Sequence, residues 1–532
     1  MSENEIQMRS ASDTILLLTK RPPLVLFAVL SCVWLLMGIL LASTETASVG
    51  GNEAKTRFLF EQGSLVMTAE ALRDSNGSFS LAQLPNPEPK CKVELKGDVT
   101  PLTARLWKIA LDDVEHNMVT SESGAVYFGA GNKYGLRIYE RDIAVSGVLG
   151  LNHLYPEVML SSLKVAREIR KELGYKVSAP HVVREIDVPW EVIAQADKAI
   201  MEKYRTNSYT RRTDDVAWLW AVDDLFTLHS ELADWKWVVE NGDHFFKVFY
   251  DPWFDKTDGL FRGQPLFHDI QSSAFPKGMT IADCVLLKAL STNCLYYRGM
   301  QAMAKACEKS SRPAGEKQHW MDRASALKVA IQKEFTQPDG TLAYYKDRHG
   351  KIMLNREILG TAFAAIFGIV EGDAAKAAFA DYPLAEKGAP LFSPFISGNS
   401  GPHNMASWPF CDTFFLWGKS IAEGKDYTDY NAALLARSIG TTIKFKKGRE
   451  DKAEADGFGS FHEYITLPDG LITGSGRQLW SAAAFLNVCI RAGLLPEKRV
   501  GQANPTKNKR ESSNQTKLNV RSNLLTGSLF NT

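Results

Sequence analysis

From residue 100 to about 495, apolar residues recur at three- and four-residue spacing, in run after run of helix length. The pattern predicts helices over 101–119, 143–154, 156–173, 189–205, 214–230, 235–250, 280–308, 315–335, 357–370, 408–423, 427–445 and 478–492. Pro156 and Pro189 stand at first-turn positions, where a missing N–H is harmless. Strand-like sequence is confined mainly to 51–100, with 90–99 (KCKVELKGDV) the best strand. Short connections alternate with long ones rich in Gly and Pro, at 251–279, 384–407 and 446–476. These runs fit an all-α fold of six helical hairpins closed into an (α/α)6 toroid with a short β-rich lead-in. No strict repeat is visible, which argues against a uniform solenoid. Long loops in a compact helical body are commonly functional.

Two segments break this pattern. Residues 24–42 form 19 consecutive uncharged positions, the length that crosses a bilayer as a helix. Lys20 and Arg21 precede them and the next ten residues carry no basic group. The positive-inside rule then places the first residues in the cytoplasm and the body outside it. A cleaved signal peptide is the other reading; the long leader favours an uncleaved anchor. Residues 496–532 are polar and read as a disordered tail. The expected organisation is a cytoplasmic tail (1–23), a transmembrane signal anchor (24–42), a linker and short β-rich segment (43–100), the catalytic toroid (101–495) and the tail. That is a single-pass type II membrane protein, lumenal in the ER or Golgi or facing another extracytoplasmic space.

Composition narrows the function classes. The 532 residues are 45% hydrophobic and 23% charged, enough for a large core. A net charge of +1 gives no field for nucleic acid. Aromatics at 10% suit sugar stacking and a large core equally. Cys32, Cys91, Cys284, Cys294, Cys307, Cys411 and Cys489 show no CxxC and no metal-like spacing, so neither a zinc site nor a disulfide framework is expected. No phosphate loop, GxSxG elbow or HExxH motif occurs, and no cofactor or metal is expected.

Candidate chemistry gathers in or beside the long loops. Glu463 lies between His462 and Tyr464, ahead of a Pro468-Asp469-Gly470 turn, the glycines Gly474 and Gly476, and a helix carrying Trp480. A solvated loop glutamate is the plain alternative. Tyr139-Glu140-Arg141-Asp142 opens a helix, where Arg and Asp can grip paired sugar hydroxyls or where Asp simply caps. In Asp214-Asp215-Val216-Ala217-Trp218 the acids suit a helix start, and Trp218 can wall a pocket or fill the core. The loop from Asp251 to Pro276 carries Trp253 and Phe267-His268-Asp269-Ile270; a buried Asp269 would hold a raised pKa, as a general acid needs. The loop ending in Trp408-Pro409 offers His403 and Asn404 to hydroxyls and Trp408 as a wall.

Together these segments resemble the six-hairpin glycosidases, with the nearest likeness to glycoside hydrolase family 63 and to glucoamylase-like and trehalase enzymes. Tyr139-Glu140-Arg141-Asp142 is similar to the W-x-R-D segment that holds the terminal sugar. The stretch from Leu266 to Pro276 is similar to the family 63 general-acid segment and points to Asp269. Phe461-His462-Glu463-Tyr464 is similar to its general-base segment and points to Glu463. The resemblance spans roughly 100–495 and implies an exo-acting, inverting, α-glucosidase-like hydrolase of oligosaccharides or glycans. Asp269 would protonate the leaving oxygen and Glu463 would activate water, about 6.5–9.5 Å away. Arg141, Asp142, Asp214, Asp215, Trp218, Trp253, His403, Trp408, His462, Tyr464 and Trp480 would bind substrate. Two alternatives stay open: a phosphorylase on the same fold, and an inactive membrane-tethered carbohydrate-binding protein.

Overall fold

The computed structural model describes residues 57–121, 123–135, 138–173, 213–268, 272–384, 386–441 and 458–496. Twelve helices organise them: α1 (Pro101–His116), α2 (Glu140–Ser146), α3 (Pro156–Leu173), α4 (Asp214–Leu228), α5 (Trp235–Phe245), α6 (Leu290–Lys309), α7 (Ala314–Phe335), α8 (Ile358–Ile366), α9 (Gly372–Phe379), α10 (Pro409–Glu423), α11 (Thr428–Arg437) and α12 (Leu479–Arg491). Every second helix belongs to an inner ring. α2 packs on α4, α4 on α6, α6 on α8, α8 on α10, α10 on α12, and α12 returns to α2. The others lie outside: α1 on α12, α3 against α2 and α4, α5 against α4 and α6, α7 on α6, α9 against α8 and α10, α11 against α10 and α12.

The sequence of each helix matches its layer. In outer helix α7 the buried residues are Trp320, Ala324, Leu327, Ala330, Ile331 and Phe335, the stripe of a helix covered on one face. Inner helices are covered all round: Ile358 to Ala365 of α8 and Leu479 to Cys489 of α12 are buried without interruption. Small residues let them approach. A Cβ on Gly418 of α10 would lie 2.9 Å from Phe379 and 3.0 Å from the Ala362 carbonyl. Local signals set the ends. Thr100 caps α1 by accepting from Thr103 N–H at 3.1 Å, with Pro101 in the first turn. Gly424, at φ 66°, closes α10 in the left-handed region.

The all-α expectation is corrected, because the described chain is about half helical and carries several small sheets. The lead-in is a four-stranded antiparallel meander, β1 (Phe60–Gln62), β2 (Leu65–Met67), β3 (Ala71–Asp74) and β4 (Gly77–Ser80). The best predicted strand, 90–99, is largely irregular; Trp107 of α1 donates to the Val93 carbonyl at 2.8 Å. Loops between helices then pair with one another: β5 (Met118–Thr120) with β6 (Val126–Phe128), β7 (Phe254–Asp255) with β8 (Leu260–Phe261), β9 (Lys288–Ala289) with β10 (Tyr345–Lys346) and β11 (Ile352–Met353), β12 (Arg356–Glu357) with β13 (Phe392–Ser393), and β14 (Ala406–Ser407) with β15 (Tyr464–Thr466) and β16 (Ile472–Thr473). These pairs satisfy backbone groups of loops that are themselves buried, and such short strands leave no period to read.

The single-pass membrane assignment, with its lumenal or extracytoplasmic placement, is also corrected. Among the described residues no helix is long and apolar enough to cross a membrane; the ring helices owe their apolar faces to packing on one another. The predicted anchor 24–42, the cytoplasmic tail 1–23, the helix 189–205 and nearly all of the tail 496–532 lie outside the described residues. Among the other helices, 280–308 divides into a short six-residue helix at Ile281–Leu286, strand β9 and α6, while α11 ends at Arg437.

The meander braces one loop of the ring. Asp74 and Arg437 of α11 form an ion pair with both side chains fully buried. Arg437 also donates to the Gly470 carbonyl at 2.7 Å, and the Asn76 amide donates to the carbonyls of Asp469 and Gly470 at 2.8 and 2.9 Å. The turn between β15 and β16 is thereby held from outside.

Candidate active site

The first residues of the inner helices meet at one end of the ring. Arg141 of α2 reaches Asp214 of α4, Ser291 of α6 reaches Glu357 at the start of α8, and Phe410 of α10 stacks on Trp480 of α12 at 4.2 Å. The loop hairpins cover the same end, and Glu463 stands beside it, just before β15.

Glu463 is held on several sides. Its N–H donates to the Ser475 carbonyl at 3.0 Å, and Ser475 N–H returns a bond to Oε2 at 2.9 Å. The Tyr134 hydroxyl donates to Oε1, and Lys133 Nζ lies 3.9 Å from Oε2. Glu463 is 4% exposed. Gly474 permits this fit: its φ is 89°, and a Cβ there would lie 2.6 Å from both Cβ and Oε2 of Glu463. Burial, then the charge of Glu463, pushes the Tyr134 hydroxyl well above its ordinary pKa, so Tyr134 keeps its proton and stays a donor. Tyr134 also feels the charge of Asp142 and packs edge-on to Tyr139 at 5.3 Å.

Arg141 links two acids, at 3.4 Å from Asp142 and 3.4 Å from Asp214, all three buried. Asp215 is turned into the packing instead. It is paired with Arg167 of α3, which also binds Glu140, and it accepts from the Tyr250 hydroxyl at 2.6 Å.

An aromatic wall adjoins Glu463. Trp408 stacks on Tyr464 at 5.0 Å and packs on Phe267 at 5.0 Å, His403 at 5.6 Å and Trp480 at 5.8 Å. Its indole N–H donates to the Pro402 carbonyl at 2.9 Å, which fixes the ring. Of the residues the sequence singled out, Glu463, Tyr464, His403, Trp408 and Trp480 come together here. Trp218 does not: it is fully buried, donates to Leu163 at 3.1 Å, and packs on Trp237 and Phe245. Trp253 is fully buried in the turn Asp251–Trp253. His462 is buried with Nδ1 at 2.9 Å from the Ser460 carbonyl, inside the loop it helps shape. Asp269 lies outside the described residues; His268, directly before it, is described and packs on Phe267 at 4.3 Å.

Sequence reasoning missed Tyr134, Lys133 and Gln478. Gln478 is fully buried, and neither side-chain amide atom has a hydrogen-bond partner among the described residues. A Cβ on Gly131 would lie 2.4 Å from its Oε1, so that glycine leaves the amide its room. The indole N–H of Trp480, two residues on, is likewise unpartnered among the described residues. A glutamine at a helix N-cap, where Ser, Thr, Asp or Asn is the usual choice, was the available signal.

No family model matches this chain, and no curated protein matches it. Solved structures that the chain is similar to include glycosidases. A wild-type glycosidase structure shares 16% identity at a TM-score of 0.47, over 74% of this chain and 98% of that one. A GH63 mannosylglycerate hydrolase from Thermus thermophilus, in complex with Tris and D-glycerate, shares 14% at 0.46, over 72% and 99%. A GH78 family rhamnosidase of Bacillus sp. GL1 shares 11% at 0.41, over 78% and 36%.

Proposed function

We propose that the protein is a glycoside hydrolase that releases a terminal sugar from an oligosaccharide or glycan by general acid and base catalysis with inversion. The observation that carries the reading is the seat of Glu463. A buried carboxylate, oriented by Tyr134 and the Ser475 N–H, stands beside the stacked Tyr464–Trp408 wall at the mouth of the ring. Pyranose rings present apolar faces to such walls and hydroxyls to carboxylates and guanidinium groups.

In this reading Glu463 takes a proton from the water that attacks the anomeric carbon. Asp269 protonates the leaving glycosidic oxygen. As the bond breaks, positive charge develops on the sugar ring, and the carboxylates at the mouth stabilise it. Arg141, with Asp142 and Asp214, holds the hydroxyls of the terminal sugar, Arg donating and the acids accepting. Trp408, Tyr464 and Trp480 wall the ring, and Gln478 offers both a donor and an acceptor to a hydroxyl. No metal has a part in this scheme.

The test is a panel of α-linked gluco- and manno-oligosaccharides on the full chain, beside Glu463→Gln and Asp269→Asn. Sugar release by the wild type and its loss in both variants is the expected result. Release that requires inorganic phosphate points to phosphorolysis, and binding without release overturns the enzyme reading.

A further inference from the structure

Two consecutive residues reach the carboxylate of Glu463. The short turn Asn132–Tyr134 is fastened to the Glu463 hairpin through its backbone. Lys133 N–H donates to the Ser475 hydroxyl at 3.1 Å, and Asn132 N–H donates to the Gly476 carbonyl at 3.3 Å. From that turn the Tyr134 hydroxyl binds Oε1, and Nζ of Lys133 stands 3.9 Å from Oε2. The ammonium also lies over the Tyr134 ring, 5.3 Å from its centroid, where a cation is attracted to the ring face. The two residues differ in setting. Tyr134 is half-buried, whereas the Lys133 side chain is 42% exposed, on the solvent side of a carboxylate side chain that is 5% exposed.

The width of the Lys133–Glu463 gap decides what the lysine does. A direct N–H···O bond needs about 2.7–3.2 Å, so at 3.9 Å the ammonium and Oε2 are not bonded to each other. One water that accepts from Nζ and donates to Oε2 fits the same gap. Oε2 has room for it, because a carboxylate oxygen accepts about two bonds and the Ser475 N–H uses one. Among the described residues the Lys133 ammonium makes no hydrogen bond, so its donors are open to a water. As an exposed ion pair the contact contributes little to stability. A water held by the carboxylate alone can swing about the oxygen it donates to. A second partner that donates to the water fixes where its remaining lone pair points.

We propose that the Lys133 ammonium donates to the attacking water and, together with Oε2 of Glu463, fixes its place and orientation. This rests on the glycoside hydrolase reading. The water accepts from Lys133 through one lone pair and attacks the anomeric carbon with the other. Its oxygen forms the new C–O bond as the glycosidic C–O bond breaks. One of its protons passes to Glu463, and the general acid supplies the proton that the leaving oxygen takes. Lys133 keeps all its protons, so its task is placement and not proton transfer.

The experiment compares wild type, Lys133→Met and Lys133→Arg, as full chains, on an α-linked gluco- or manno-oligosaccharide and on the matching α-glycosyl fluoride, whose fluoride ion departs without a proton. Lys133→Met is expected to lower kcat roughly 10- to 100-fold on both substrates alike, with KM changed less than about twofold and Tm almost unchanged. Lys133→Arg, which can still donate to a water, restores part of kcat. Asp269→Asn is the contrast, since its loss shrinks on the fluoride. An unchanged kcat in Lys133→Met overturns the proposal. So does a loss confined to the oligosaccharide, which assigns Lys133 to the leaving group, or a rise in KM alone, which assigns it to sugar binding. Release by the wild type that requires inorganic phosphate overturns it too. A wild type inert on both substrates overturns the hydrolase reading itself, whereas an active wild type beside an equally active Lys133→Met overturns the water-binding role alone.

Discussion

The hydroxyl of Tyr134 donates to the carboxylate of Glu463 across 329 residues of sequence. The bond joins the loop before α2 to the hairpin before α12, and so ties the first inner helix to the last. It also aims the carboxylate, since Oε2 is already taken by the Ser475 N–H.

Removing that hydroxyl tests the aim. A hydrogen bond to a charged group contributes about 1.5–3 kcal/mol, so Tyr134→Phe is expected to lower kcat roughly 10- to 100-fold. Substrate turnover and thermal melting, measured side by side, check this. A fall in kcat accompanied by a fall of a few degrees in Tm is the predicted pattern.

Gln478 predicts an exchange of stability against function. A buried amide without partners carries a penalty of about 1–3 kcal/mol, which an apolar residue of similar size avoids. Gln478→Met is expected to leave the protein as stable or more stable in urea while weakening sugar binding. Chemical denaturation and a sugar titration followed by tryptophan fluorescence measure both sides.

The buried pair of Asp74 and Arg437 braces the turn behind Glu463. Removing one member of such a pair leaves an uncompensated charge and costs about 3–5 kcal/mol. Asp74→Ala is expected to lose that much stability in denaturant unfolding and to lose activity along with it.

Asp113 of α1 gives a pH prediction with a definite sign. Burial raises its carboxyl from 3.8 to about 8, against the lowering effects of the Phe461 N–H and Arg477. The native state therefore binds more protons than the unfolded chain between about pH 4 and 8. The stabilisation is complete below the unfolded pKa and is lost as pH rises through the folded one. Asp113→Asn is expected to flatten the fall of Tm between pH 5 and 8, which melting curves across that range will show.

The ring was legible because its helices carry long periodic stripes; Trp320, Ala324, Leu327, Ile331 and Phe335 of α7 are an example. The small sheets were not, because a pair such as Arg356–Glu357 with Phe392–Ser393 is too short to alternate visibly. The reverse error occurred at 90–99, where alternating residues line the side of α1 without forming a strand. Glu463 was singled out by its loop and the glycines that follow it, and Gly474 gives its side chain a buried seat; its catalytic role is our proposal. Tyr134 was not readable, since nothing near it in sequence announces a contact with the far end of the chain. Trp218 looked like a sugar wall, yet a tryptophan one turn into an inner helix can face either layer, and this one faces outward to α3 and α5.

The most direct test follows the anomer released from an α-linked gluco- or manno-oligosaccharide by proton NMR during the first minutes of reaction. The β-anomer is predicted to appear first with the wild type, and no sugar with Glu463→Gln. Release of the α-anomer, or undiminished release by Glu463→Gln, would contradict the role assigned to Glu463.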